Sequence, residues 1–172
     1  MATEFESMTS QIATLQSGAS VSGDVSQFIS FRVGEEEFAI DIMAVREIKG
    51  WTQTTTLPNQ PDYLLGILNL RGTIVPIYDL RCRFGLGLTI ATRTHVVIIV
   101  SVLERTVGLL VDAVSDILTV RGDAIRPIPD MERQGSTQFF SGIITVNESM
   151  VVLLSLEALF ERAVAALPDL AA

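Results

Sequence analysis

The amino-acid sequence predicts a mostly β fold of two similar small barrels side by side, finished by a C-terminal helix. Three observations predict it. Apolar residues recur with a period of two in short runs bounded by turn residues, the second half of the chain repeats the apolar pattern of the first, and little sequence between the runs is left for helices.

Residues 1–26 are rich in Ser, Thr, Ala and Gln, a composition that buries little apolar surface, and are expected to form a flexible N-terminal tail. Within them Phe5, Met8, Ile12 and Leu15 fall at helical spacing behind a Thr3/Glu6 pair of capping-box type, so the alternative is a short amphipathic helix formed on a partner. From Gln27 the period becomes two, with Ile29, Phe31 and Val33 on one face. Gly34-Glu35-Glu36 then turns the chain into a second strand carrying Phe38 and Ile40. Strand-like runs follow at Gly66 to Leu70, Thr73 to Tyr78, His95 to Leu103, Thr106 to Val111, Phe139 to Val146 and Met150 to Leu154, separated by turns such as Arg71-Gly72 and Asn147-Glu148-Ser149. Ser155 caps the C-terminal helix, whose Leu156, Leu159, Phe160, Ala163 and Leu167 share a face before Pro168 ends it, so that residues 161–172 are the end of that helix and a tail.

The repeat is explicit. Phe38 to Ile48 aligns without gaps on Val107 to Ile117, Gly66 to Leu70 on Gly142 to Val146, and Ile74 to Ile77 on Met150 to Leu153. The growing offset marks Glu132 to Gln138 as an insertion in the second copy, a surface loop. A groove is expected between the two halves.

Bulk composition narrows the function. With 48% hydrophobic residues, 19% charged residues and a mean hydropathy of +0.43, most of the 172 residues can enter a core. A formal charge of -8 argues against nucleic acid and anionic membranes as partners. The longest apolar run, Val96 to Val100 continued by Val102 and Leu103, is far short of the roughly 20 residues that cross a bilayer, and the first residues lack a secretory pattern. Together with the lone Cys82, this predicts a cytoplasmic protein without membrane insertion.

A search for reactive groups returns little. His95 is the single histidine, so no histidine pair exists for zinc or proton transfer, and no Gly-rich phosphate loop occurs. Arg81 and Arg83 could favour a thiolate at Cys82, but no second cysteine accompanies it. Asp112 and Asp116 read as solvated turn acids before they read as an acid and base pair. No catalytic residue, metal site or cofactor is expected.

Specific motifs remain. Val45-Arg46-Glu47-Ile48-Lys49-Gly50, Gly66-Ile67-Leu68-Asn69-Leu70-Arg71-Gly72, Ile74-Val75-Pro76-Ile77 and Asp79-Leu80 closely resemble the bacterial CheW family of chemotaxis coupling proteins. Gly108-Leu109-Leu110-Val111-Asp112, Val114-Ser115-Asp116 and Ile125-Arg126-Pro127-Ile128-Pro129 resemble its later motifs, so the resemblance covers residues 27–160 as one domain of two interlocked halves. It implies two SH3-like five-stranded barrels and no enzyme activity. The implied role is a scaffold that couples the tips of methyl-accepting chemoreceptors to the regulatory domain of the histidine kinase CheA, recruited to membrane-bound receptor arrays and joining other CheW copies in rings. Carried over by motif, the receptor surface is Val45, Ile48, Val114 and Ile117, with Glu47 and Arg71 as a polar pair beside it. The kinase and ring interface falls on Leu57, Tyr63 and Leu65 in the first barrel and on Met131 in the second. The alternatives are a CheW-like adaptor of a pilus or second-messenger pathway and a small-ligand barrel.

Overall fold

The computed structural model describes residues 2–17, 25–128 and 139–160. Among these residues ten strands form two five-stranded sheets. The elements in order are a helix α1 (Ala2–Ser17), strands β1 (Val25–Val33), β2 (Glu36–Asp41), β3 (Val45–Gly50), β4 (Leu64–Leu70) and β5 (Thr73–Asp79), a one-turn helix α2 (Leu80–Arg83), then β6 (Val96–Val102), β7 (Arg105–Val111), β8 (Ala113–Arg121), β9 (Phe140–Val146) and β10 (Ser149–Leu154). Residues 156–160 begin a C-terminal helix, α3, where the Ser155 hydroxyl accepts a hydrogen bond from Ala158 N at 3.3 Å, as an N-cap should. Ala163, Leu167 and Pro168 lie outside the described residues.

One sheet has the order β8-β1-β2-β10-β9 and the other β3-β6-β7-β5-β4. If β1 to β5 are matched with β6 to β10, as the repeat requires, the two orders become the same. Residue pairings agree as well. Ile29↔Ile40 in the first sheet has its counterpart in Ile98↔Leu109 in the second, and Gly142↔Leu153 has its counterpart in Gly66↔Ile77. The copies are nevertheless not one sheet each: each sheet takes two strands from one copy and three from the other. The crossing points are the turn Ile42–Ala44 after β2 and Asp112 after β7. The exchanged sets are thus β3 to β5 and β8 to β10, and β3 and β8 are the first strands past each crossing.

These two strands, β3 and β8, are bulged at the same place. Pairing of β3 with β6 passes from Val45↔Val100 to Glu47↔Ile99, leaving Arg46 unmatched, and pairing of β8 with β1 passes from Phe31↔Val114 to Ser30↔Asp116, leaving Ser115 unmatched. Beyond the bulge the chain rolls each sheet toward its other edge. The segment after β3 pairs Thr55 with Ile67 on β4, and the segment after β8 pairs Arg126 with Ile143 on β9.

Three clusters make the core. A small one lies within each rolled sheet, Ala39, Val120, Ile144, Val151 and Leu153 in one and Val75, Ile77, Val97, Ile99 and Leu110 in the other. The largest lies between the sheets and joins Ile29, Phe31, Phe38 and Ile40 to Val96, Ile98, Val100, Val107 and Leu109. The open groove expected between the halves is therefore mostly packed side chains, because β1, β2, β6 and β7 are apolar on this face as well.

The N-terminal segment also departs from the sequence reading. Residues 2–17 form a helix seated on β3, with Ile12 buried and Phe5, Met8 and Leu15 packed against the central cluster. A short isolated helix is marginal in water, but here its apolar stripe finds a partner within the chain.

Candidate partner-binding surface

The six residues expected at a receptor surface lie on β3, on β8 and on the β4–β5 turn. Val45 and Ile48 are 1% and 2% exposed, whereas their repeat counterparts Val114 and Ile117 are half-buried against the same central cluster. Equivalent positions thus differ in cover. α1 runs along β3, while among the described elements the close neighbour of β8 is β1.

α1 also occupies the free hydrogen-bonding edge of β3, which ends its sheet. The Thr9 hydroxyl accepts from Ile48 N at 3.1 Å and donates to Ile48 O at 3.4 Å. Gln16 Nε2 donates to Ile42 O at 2.6 Å and to Val45 O at 2.9 Å. Phe5 reaches the far end of the strand, where a Cβ on Gly50 would lie 3.5 Å from its ring. An uncovered edge invites pairing with foreign strands, and side chains of a helix satisfy it here.

β8, the edge of the other sheet, is handled locally. Ile117 N donates to the Asp116 carboxylate at 2.8 Å, and the buried Ser30 hydroxyl serves both Asp116 N and Asp116 O at 3.1 Å across the bulge. Asp116 is therefore a backbone ligand, and Asp112 holds Gly34 N at 2.6 Å and His95 Nε2 at 3.2 Å. Both acids read as solvated turn groups in the sequence have structural partners.

The polar pair is assembled as the motifs suggested. Arg71 Nη2 lies 3.2 Å from Glu47 Oε1, with the arginine 79% and the glutamate 20% exposed. The two-residue turn Arg71-Gly72 holds both residues at positive φ, +51° and +87°, and Gly72 N donates to Asn69 Oδ1 at 2.9 Å. Glycine at the second position carries no Cβ penalty in this conformation. The turn presents the guanidinium to solvent beside β3, where an exposed ion pair contributes about 0–1 kcal/mol to the fold.

Of the kinase and ring residues, Leu57 is half-buried in the segment between β3 and β4, and Leu65 packs on the inner cluster of its sheet with Trp51, Leu68 and Leu70. Tyr63 stacks on Tyr78 with ring centres 6.1 Å apart. Met131 lies outside the described residues, as does the Glu132 to Gln138 insertion. Sequence reasoning missed Arg83, whose guanidinium sits 4.8 Å from the Tyr63 ring and 4.5 Å from the Phe139 ring. Cation and aromatic are too far apart in sequence for spacing to reveal that contact. Also missed were the exposed Ile74 and Met150, which occupy equivalent places beside the β4–β5 and β9–β10 turns.

Cys82 does not have the electropositive setting its neighbours suggested. Partial burial pushes its thiol up from the ordinary value, and the carboxylates of Asp79 and Asp62 add to the rise. Among the described residues no group of three or more His, Cys, Asp or Glu is placed to hold a metal ion. No described helix is long and apolar enough to cross a membrane.

Comparison with known proteins supplies the family. The model of the CheW-like domain matches residues 27–164. A probable chemotaxis protein CheW of Rhizobium etli is 48% identical over 136 residues, covering 79% of this chain and 88% of that protein. Chemotaxis protein CheW of Rhizobium meliloti is 46% identical over 134 residues, covering 78% and 86%. Among solved structures, the scaffolding protein TtCheW of Thermoanaerobacter tengcongensis matches with a TM-score of 0.73 at 34% identity, over 79% of this chain and 92% of that one. With the matched sheets, the bulged strands and the Glu47–Arg71 pair all lying inside the matched span, the chain belongs to the CheW-like family.

Proposed function

We propose that this chain is a non-catalytic chemotaxis adaptor that couples the tips of methyl-accepting chemoreceptors to the histidine kinase CheA and builds receptor arrays at the cytoplasmic side of the membrane. The observation that carries the reading is the matched placement of β3 and β8, with Val45 opposite Val100 and Val114 opposite Phe31, beside the exposed Glu47–Arg71 pair. A receptor tip is a helical hairpin, and a helix is gripped by apolar side chains along one face with polar groups at the rim. Val45, Ile48, Val114 and Ile117 would supply the apolar contacts, and Glu47 and Arg71 the rim.

Kinase contact belongs to Leu57, Tyr63 and Leu65 on one side and to Met131 on the other, so that one chain can join two neighbours in a ring with CheA or further copies of itself. Tyr63 suits an interface, being an aromatic residue held in one orientation by Tyr78 and Arg83.

The test is a pull-down of the purified protein with the regulatory domain of CheA and, separately, with a receptor-tip fragment, comparing wild type with Arg71→Glu. The expected result is binding to both partners, with receptor binding weakened at least fivefold by the reversal. The unfolding midpoint should move little, because the ion pair is exposed. Binding to neither partner sinks the reading.

A further inference from the structure

We infer that α1 is a resident occupant of the receptor seat, and that a receptor helix must displace it from β3 to reach Val45 and Ile48. The inference rests on the receptor surface proposed above. Those two side chains are 1% and 2% exposed with α1 in place, so a partner cannot touch them while the helix is seated. What α1 brings to the seat is also what an amphipathic partner helix brings. Phe5, Met8, Ile12 and Leu15 form an apolar stripe, and Thr9 and Gln16 are short polar side chains aimed at the backbone of Ile42, Val45 and Ile48.

The grip suits exchange better than permanent fixing. Of the stripe only Ile12 is fully buried, and Phe5, Met8 and Leu15 remain partly exposed. The hydrogen bonds that Thr9 and Gln16 make to the body join side chain to backbone and can be remade by another side chain or by water. α1 enters the core only through the central cluster, which Ile12 joins beside Val45 and Ile48, and the smaller cluster within each sheet contains none of its residues. Being part of the same chain, a released α1 still competes for the seat at an effective concentration on the order of millimolar. The apparent affinity for a receptor helix is then lowered by the fraction of time the seat is free. β8 carries no such cover among the described elements, so the second half of the surface stays available for a first encounter.

The experiment uses the full chain with a receptor-tip fragment and, as control, the CheA regulatory domain. Two variants loosen α1 by different means: Ile12→Asp attacks its buried anchor, and the double substitution Thr9→Ala with Gln16→Ala removes its backbone contacts while sparing the stripe. Circular dichroism establishes that each folds. Both are expected to bind the receptor fragment about tenfold more tightly than wild type, with kinase binding unchanged. In the wild type, adding the fragment should speed amide exchange along residues 5–16. If the fragment binds while residues 5–16 keep their protection, or if neither variant binds more tightly, displacement is wrong and the coupling function stands. If the fragment binds no form of the protein, the receptor surface falls and the displacement falls with it.

Discussion

Replacing Gly66 by Ala probes how the second sheet is rolled, and the repeat provides an internal control. Gly66 has φ +147°, a region that residues with a Cβ scarcely enter, at a cost of about 1–3 kcal/mol. A Cβ there would be driven against the Thr55 carbonyl and would lie 2.8 Å from the Thr54 hydroxyl. That carbonyl cannot yield freely. It accepts from Ile67 N at 2.8 Å while Thr55 N donates to Ile67 O at 2.9 Å, and losing both bonds costs about 1 kcal/mol each. Strain and broken bonds together come to about 3–5 kcal/mol. Gly142 stands at the equivalent position without a positive φ, and its Cβ would meet Ile125 Cγ2 at 2.9 Å and Arg126 O at 3.2 Å. A side-chain methyl can turn aside, and the stiffer unfolded chain returns about 0.4–1 kcal/mol, so Gly142→Ala should cost about 1 kcal/mol. Urea unfolding followed by circular dichroism measures both. A gap of about 2–4 kcal/mol with equal denaturant slopes is expected, and equal losses would refute the argument from backbone strain and the Thr55–Ile67 pair. Because Thr55 anchors the segment leading to Leu57 and Tyr63, Gly66→Ala should also weaken kinase binding more than Gly142→Ala does.

Further outcomes follow from buried polar groups. The Tyr78 hydroxyl is buried without a hydrogen-bond partner among the described residues, and desolvation first, then the neighbouring Tyr63, pushes its pKa up to about 12, with Arg105 pulling the other way. Between pH 10 and 12 the unfolded state ionises at this residue while the folded state does not, so stability falls as pH rises, by about 1.4 kcal/mol per unit. In Tyr78→Phe that part of the alkaline loss should vanish in unfolding midpoints measured across the window, with no destabilisation at pH 7. Asp79 is fully buried and accepts from Arg81 N at 3.1 Å, Thr89 N at 2.7 Å and Thr89 Oγ1 at 2.7 Å, so Asp79→Ala should cost about 3 kcal/mol or more and speed exchange of the Thr89 amide. Iodoacetamide should modify Cys82 more slowly than free cysteine at pH 8, the raised pKa leaving less thiolate, and Cys82→Ser should leave both partner affinities unchanged.

Most strands were legible because apolar residues alternate, as at Ile29, Phe31 and Val33, or run on continuously, as from Val96 to Val100. β3 and β8 were legible only as a repeat. The bulges at Arg46 and Ser115 put Val45 and Ile48, and likewise Val114 and Ile117, three residues apart, which hides a period of two. Alternation states which side of a strand is apolar and not which strand lies beside it, so the exchange of β3 to β5 with β8 to β10 between sheets could not be read from it. For the same reason the sequence showed Val45 and Ile48 as an apolar pair without saying what covers them. The helical spacing of Phe5, Met8, Ile12 and Leu15 was visible, but its seat depends on an unpaired sheet edge that exists only after folding. Glu47 and Arg71 were found because their motifs are specific, and their 3.2 Å contact follows from the turn conformation at Arg71-Gly72.

The exchange of strands has a consequence for how the protein is made. One sheet is contiguous in the chain, running from Val45 to Val111, whereas the other waits for partners from both ends, β1 and β2 on one side and β8 to β10 on the other. On the ribosome the β1–β2 hairpin therefore emerges before every other strand and finds its flanking strands last. Ile29 must await Ile117, and Ala39 must await Leu153. Contacts so distant in sequence are slow to form, and until they do Ile29, Phe31 and Phe38 have only the contiguous sheet to lie against. A nascent chain halted before Ala113 holds every strand of one sheet and a bare hairpin of the other, and the interval of greatest aggregation hazard runs from that point until β8 to β10 have been made.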